Sequence, residues 1–205
     1  MSSKESIYEL EKHLRKLFEG TPYHTHHLDH LERVRNSALA IAEKVGGDTV
    51  VVEIAALFHD VSRHNPMLKG CHAKLSAQYT RDLLTQMGWQ QETTDAVCYA
   101  IETHRFSTGI NPVTVEAKII QDADRLDALG AIGVIRVVQH SANKPLYRHG
   151  EAPESLPDAE NYTMDHFKTK ILKLIDGFHF RESLEMAQRR YAFTVAFLEE
   201  FGEEL

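Results

Sequence analysis

His59 and Asp60 stand side by side at the end of VVEIAALFHD, one of the most apolar runs in the chain. An imidazole can hold a metal or carry a proton, and a carboxylate inside an apolar core needs a compensating charge, since desolvation costs on the order of several kcal/mol. Other segments also put such a group on an apolar face. His30 lies one helical turn before Val34, His104 follows Val97 and Ile101, and Asp124 follows Ile120 by one turn and precedes Ala128 by another. Taken singly, each has an ordinary explanation, because a His on an apolar face is most often a hydrogen-bonded core residue. Asp60 and Asp124 together are harder to explain: both point into one helical core, and no cation near either in sequence is obliged to pair with both. Two neutral imidazoles and two carboxylates make an N₂O₂ set that binds a divalent cation and cancels its charge.

The elements that must position these groups read as helices. Ile7, Leu10, Leu14, Leu17 and Phe18 predict a helix over 4–19, followed by the loop TPYHTHH. Leu31, Val34, Ala38, Ile41, Ala42 and Val45 predict a second over 28–45, ended by Gly46-Gly47. Asp48 or Thr49 caps a third, VVVEIAALFHD, apolar nearly all round and therefore buried; its β-branched start suits a strand, but the Glu-Ile-Ala-Ala-Leu continuation favours helix. VSRHNPMLKG reads as a loop, and helical patterns resume over 73–87, 91–104 and from Val113 through QDADRLDALGAIGVIRVVQ. The polar stretch 143–163, with three of the six Pro, predicts a long crossing loop, and closing helices follow over 164–176 and 182–202. Without a repeat or a convincing alternating strand, the chain reads as all-α, a single helical-bundle domain over 1–205.

Composition narrows the function classes. With 205 residues, 42% of them hydrophobic and 26% charged, one domain can bury a core. A formal charge of -7 with scattered Lys and Arg argues against binding a nucleic-acid polymer. Cys71 and Cys98 form no disulfide framework, and there is neither a signal-like apolar core at the N-terminus nor a membrane-length apolar run. The expectation is a soluble, cytoplasmic protein without a membrane partner; nothing in the sequence indicates its oligomeric state. Thirteen His are unusual, but their positions matter more than their number.

The segments HLERVRNSALAIA, VVEIAALFHDVSRH and QDADRLDALGAIGV together resemble the HD-domain metal-dependent phosphohydrolase superfamily, whose pattern is a His, a His-Asp pair and a distant Asp. The likeness is greatest to the stand-alone bacterial hydrolases of the YedJ type and extends through the closing helices. It implies a single HD domain with His30, His59, Asp60 and Asp124 as metal ligands. His30 matches because it precedes x-x-Arg-Val, here LERV, and Asp124 matches through Ala-Asp-x-Leu. Asp122 and Asp127 compete for the last role and are assigned instead to orienting ligands or neighbouring side chains. Relatives often carry His-Asp four residues ahead of the first ligand, where this chain has His26-His27. His26 is therefore a candidate for the substrate side or for orienting a ligand, the alternative being a solvated helix start. Some similar proteins hold two metals through additional His residues, and His72 and His104 occupy suitable places in the order. His64, His140, His149, His166 and His179 read as surface or packing residues.

What the resemblance implies is hydrolysis of a phosphoester or phosphoanhydride in a small molecule, a nucleotide foremost, by a metal-activated water. Asp60 would align or activate the nucleophile, and Arg63 and Lys118 are the candidates for neutralising charge on the phosphoryl oxygens. Ordinary surface charge for Arg63 and an intrahelical pair with Glu116 or Asp122 for Lys118 are the alternatives. Manganese is the first expectation for the metal, with magnesium, iron, cobalt, nickel or zinc open. A guanosine-tetraphosphate hydrolase would show Glu-Asp soon after the pair, and a cyclic-dinucleotide phosphodiesterase of the related subgroup Gly-Tyr-Pro; VSRHNP offers neither. The rival readings are a non-catalytic signalling or scaffold module on the same fold, which would tend to lose ligands, and a structural metal site with a closed coordination sphere.

Overall fold

In the computed structural model, residues 3–105, 109–148 and 156–205 are described. Among them are nine α-helices, two 3₁₀ segments and no strand. The chain divides into two units, Met1–Asp124 and Arg125–Leu205. No helix among the described residues is long and apolar enough to cross a membrane.

In the first unit, α1 (Ser3–Phe18), α2 (Leu28–Val45), α3 (Thr49–Phe58), α4 (His72–Gln86) and α5 (Gln91–Thr103) precede α6 (Val115–Asp127), inside which the unit ends at Asp124. α3 is its centre and packs against α1, α2, α4 and α5. Val51, Val52, Ile54, Ala55, Ala56, Leu57 and Phe58 are all buried, so apolar burial on every side outweighs the β-branched start that suits a strand. The Asp48 side chain accepts from the N–H groups of Val50 (2.8 Å) and Val51 (3.3 Å), which satisfies two orphan donors and sets where the helix begins. α2 stops at Gly46, whose φ of +85° favours Gly. The 61–70 stretch, expected to be a loop throughout, begins with a 3₁₀ turn over Val61–His64, directly after the His-Asp pair. In α6, Ala117, Ile119, Ile120 and Ala123 are buried, and Gln121 donates to the Thr103 carbonyl (3.2 Å), tying this helix to the end of α5.

The second unit holds α7 (Gly130–His140), α8 (Asp165–Thr169), a 3₁₀ segment over Ile171–Gly177 and α9 (Arg181–Glu203), with α7 packed on α9. The helical pattern read as continuous from Val113 to Gln139 is broken before Gly130. Gly130 has φ +75°, and its N–H donates to Thr194 Oγ1 on α9 (2.9 Å). A glycine accepts that backbone at no steric cost, and apolar periodicity does not register the break. The closing helix expected over 164–176 is one short α-turn followed by the 3₁₀ segment. Within 143–163, the described residues form no helix, and Arg148 ties them down by donating to Leu156 O (2.6 Å) and pairing with Asp165 (3.0 Å). The remainder of that predicted loop, 149–155, with His149, lies outside the described residues.

Candidate metal centre

Two helix ends aim imidazoles in the same way. At the end of α3, His59 Nδ1 donates to the Ala56 carbonyl (2.8 Å); at the end of α5, His104 Nδ1 donates to the Ile101 carbonyl (2.6 Å). Each bond leaves the ring's Nε2 as a lone-pair donor facing inward, and both residues are buried. His30, fully buried on the inner stripe of α2, brings its Nε2 to 3.2 Å from that of His59. At that distance two bare lone pairs repel, so the pair requires a shared proton or a shared cation.

The carboxylates close the site. Asp60 is 2% exposed. Its Oδ2 is in contact with His26 Nδ1 and lies 3.8 Å from Nε2 of both His30 and His59. Its Oδ1 lies 3.3 Å from His72 Nε2, 3.7 Å from Arg63 Nε and 3.8 Å from His104 Nε2. Asp124 Oδ1 lies 3.6 Å from His30 Nε2 and 3.9 Å from His59 Nε2, and with a side chain 31% exposed it is the group of the cluster most open to solvent after Arg63. The donors form three overlapping triads, His26–His30–Asp60, His30–His59–Asp124 and His59–Asp60–His104, each with ligand atoms within 4.8 Å of one another.

Electrostatics favours deprotonated carboxylates in this cluster. Burial pushes the Asp60 carboxyl up, but His26, His59 and His104 outweigh it and hold the group well below the ordinary carboxylate range. Burial likewise raises Asp124, and His59, His30 and His104 bring it below its ordinary value. Burial lowers His104, reinforced by His59, and lowers His72 to about 4, reinforced by Arg63 and His104. The arrangement thus brings two ionised carboxylates together with several imidazole nitrogens. Asp60 Oδ1 is buried and accepts no hydrogen bond. A buried carboxylate oxygen without a donor is costly, and a divalent cation satisfies it, so the donor set fits one.

The sequence-derived candidates distribute unevenly around this cluster. His30, His59, Asp60, Asp124, His26 and His104 all belong to the triads, and His72 and Arg63 approach Asp60 from the Oδ1 side. Lys118 lies on α6, and no hydrogen bond or ion pair joins its side chain to the cluster among the described residues. Asp122 and Asp127 are buried outside the triads, Asp127 pairing with Arg136 (2.9 Å). His64 packs between Phe18 and Tyr79, as a packing residue should. Sequence reasoning passed over His24: its Nδ1 accepts the His26 backbone N–H (3.2 Å), and its ring feels both Arg63 and Asp60. The alternation His24-Thr25-His26 just ahead of α2 was the available signal.

Comparison with known proteins gives a concordant result. A family model for the HD domain matches residues 28–129, a span that contains all four expected ligands. The uncharacterized protein YpgQ of Bacillus subtilis (strain 168) is 30% identical over 184 residues, covering 88% of this chain and 84% of that protein. Among solved structures, YpgQ in complex with ADP superposes with a TM-score of 0.76 at 27% identity, over 100% of this chain and 97% of that one. An HD-superfamily hydrolase from Bacillus thuringiensis gives a TM-score of 0.77 at 27% identity, over 99% of this chain and 98% of that one.

Proposed function

Since this chain belongs to the HD-domain family, we propose that it is a metal-dependent phosphohydrolase that cleaves a phosphoester or phosphoanhydride of a small molecule, with nucleotides as the substrate class. The observation that carries this reading is the buried Asp60 carboxylate, shared among imidazoles on both of its oxygens and with Oδ1 unsatisfied. ADP bound to the similar YpgQ supports the nucleotide class. His30, His59, Asp60 and Asp124 would hold the metal, with manganese the first candidate, and the 205 residues would act as one HD domain. When bound, a divalent ion supplies a more acidic water and polarises a phosphoryl oxygen.

The protein's own groups do the rest. Asp60 is suited to orient the attacking water and take its proton. His26, in contact with the other Asp60 oxygen, limits the rotation of that carboxylate. Arg63 Nε, 3.7 Å from Asp60 and without a hydrogen-bond partner, is suited to meet the charge that develops on the phosphoryl oxygens, so charge neutralisation is assigned to Arg63. The exposure of Asp124 favours an open coordination position over a closed structural site.

The test is a panel of nucleoside mono-, di- and triphosphates and cyclic nucleotides, incubated with chelator-stripped protein with and without manganese, beside Asp60→Ala. Manganese-dependent release of phosphate or pyrophosphate, lost in the variant, is the expected result. Folded, metal-loaded protein that turns over none of the panel with any of several metals would overturn the nucleotide hydrolase reading.

A further inference from the structure

The loop between α1 and α2 contributes a donor that the proposed reaction has not yet used. His24 Nδ1 accepts the His26 backbone N–H, so the only N–H on the His24 ring is at Nε2. That atom is buried and has no hydrogen-bond partner. The ring is flanked by Phe18, with centroids 6.3 Å apart, and by His27, at 5.7 Å, and it lies within electrostatic reach of Arg63 and Asp60. Arg63 repeats the pattern. Its terminal nitrogen meets His72 Nδ1 (3.2 Å), while its Nε is buried without a hydrogen bond. His24, through His26, and Arg63 flank the same carboxylate, Asp60, and a buried N–H donor left unused on each is costly until an acceptor reaches it. Asp60 does not fill that role, because its Oδ2 is engaged by His26 and its Oδ1 lies 3.7 Å from Arg63 Nε, beyond hydrogen-bond range.

We propose that His24 Nε2–H and Arg63 Nε–H form a donor pair that holds the phosphoryl group of the substrate, making His24 a substrate-binding residue. The proposal rests on the phosphohydrolase reading for its ligand class, a tetrahedral phosphoryl group. It assigns the metal ligands and the donor pair to different oxygens of that group.

The experiment compares His24→Asn with His24→Gln. Asn keeps an oxygen near the position of Nδ1, where it still accepts from the His26 N–H, and removes the distal donor. Gln carries an amide N–H out to the position of Nε2. Inorganic phosphate is titrated calorimetrically into the manganese-loaded protein, and manganese binding is measured separately. The expected result is about a tenfold or greater loss of phosphate affinity in the Asn variant, near wild-type affinity in the Gln variant, and unchanged manganese affinity in both. Phosphate binding by the Asn variant equal to wild type overturns the proposal, since the donor then serves only solvent. Equal loss in both variants together with lost manganese overturns it too, since His24 then acts only by holding His26. Wild-type protein that binds no phosphate has the same consequence. His24-dependent phosphate binding without turnover of any compound in the panel removes the hydrolase reading and leaves the donor pair standing.

Discussion

Replacing Asp60 by Asn keeps the size of the side chain and one carbonyl oxygen while deleting a charge that is 2% exposed. Unit charges about 4 Å apart interact by ~4 kcal/mol at an effective dielectric constant near 20, and a dication doubles this to ~8 kcal/mol. Burying the wild-type carboxylate already carries a desolvation penalty of several kcal/mol, which the amide avoids; if that returns about half, the variant loses ~3–4 kcal/mol of metal binding, or about 10²–10³ in affinity. The readout is thermal unfolding with and without manganese. At a metal concentration about 100 times Kd, binding stabilises the wild type by ~2.7 kcal/mol, which raises Tm by roughly 5–11 °C in a chain of this size. In Asp60→Asn the same addition should raise Tm by about 1 °C. Metal-free Asp60→Asn should unfold modestly earlier than metal-free wild type, because His26, His59 and His104 outweigh desolvation in holding the wild-type carboxylate ionised. A variant that keeps the full manganese-dependent rise would refute the role of Asp60 as a ligand, and a metal-free variant that unfolds far earlier would show that the carboxylate is structural.

Two further outcomes follow from groups away from the metal ligands. Asp48→Ala removes the acceptor for the Val50 and Val51 N–H groups at the start of α3 and should cost about 1 kcal/mol, within roughly 0.5–2, read as a lower urea midpoint at unchanged m-value; an unchanged midpoint would show that the cap contributes nothing. His166 is lowered from 6.5 to about 4 by burial, then by Lys170, His140 and Lys144, so the fold prefers its neutral ring. The unfolded chain takes up the proton first, and the stability that is full above the unfolded value near 6.5 is lost as pH falls towards 4. The shift sets a ceiling of about 3 kcal/mol, which solvent screening of a partly exposed ring reduces to roughly 1–2 kcal/mol. Urea unfolding at pH 7.5 and pH 4.5 should therefore show His166→Gln losing about 1–2 kcal/mol less than wild type, and equal losses would exclude this group.

Much of this protein was legible before any coordinates. The all-α class follows from apolar spacing, and the bounds of α2 agree with prediction because Leu31 through Ala42 repeat at helical period and Gly46 ends the run. The ligand-type residues could be recognised as well, because His30, His59 and Asp60 occur where periodicity demands apolar side chains, and a buried charge needs a reason. The break before Gly130 was not legible: the apolar pattern continues through it, and what stops the helix is a positive φ supported by Thr194, 64 residues away. Nor was the reach of the basic side chains, since Arg63 and Lys118 both lie near ligands in the sequence, yet it takes the folded chain to show Arg63 Nε 3.7 Å from Asp60. His24 was harder to single out because the alternation His24-Thr25-His26 does not tell that its Nε2 is buried and without a hydrogen bond. Sequence by itself determined which side chains face inward on their own helices, because that is a property of local period. Only the tertiary structure decided which of them come within 4 Å of one another and which ring nitrogen each presents, because helix packing sets the first and the carbonyls of Ala56 and Ile101 set the second.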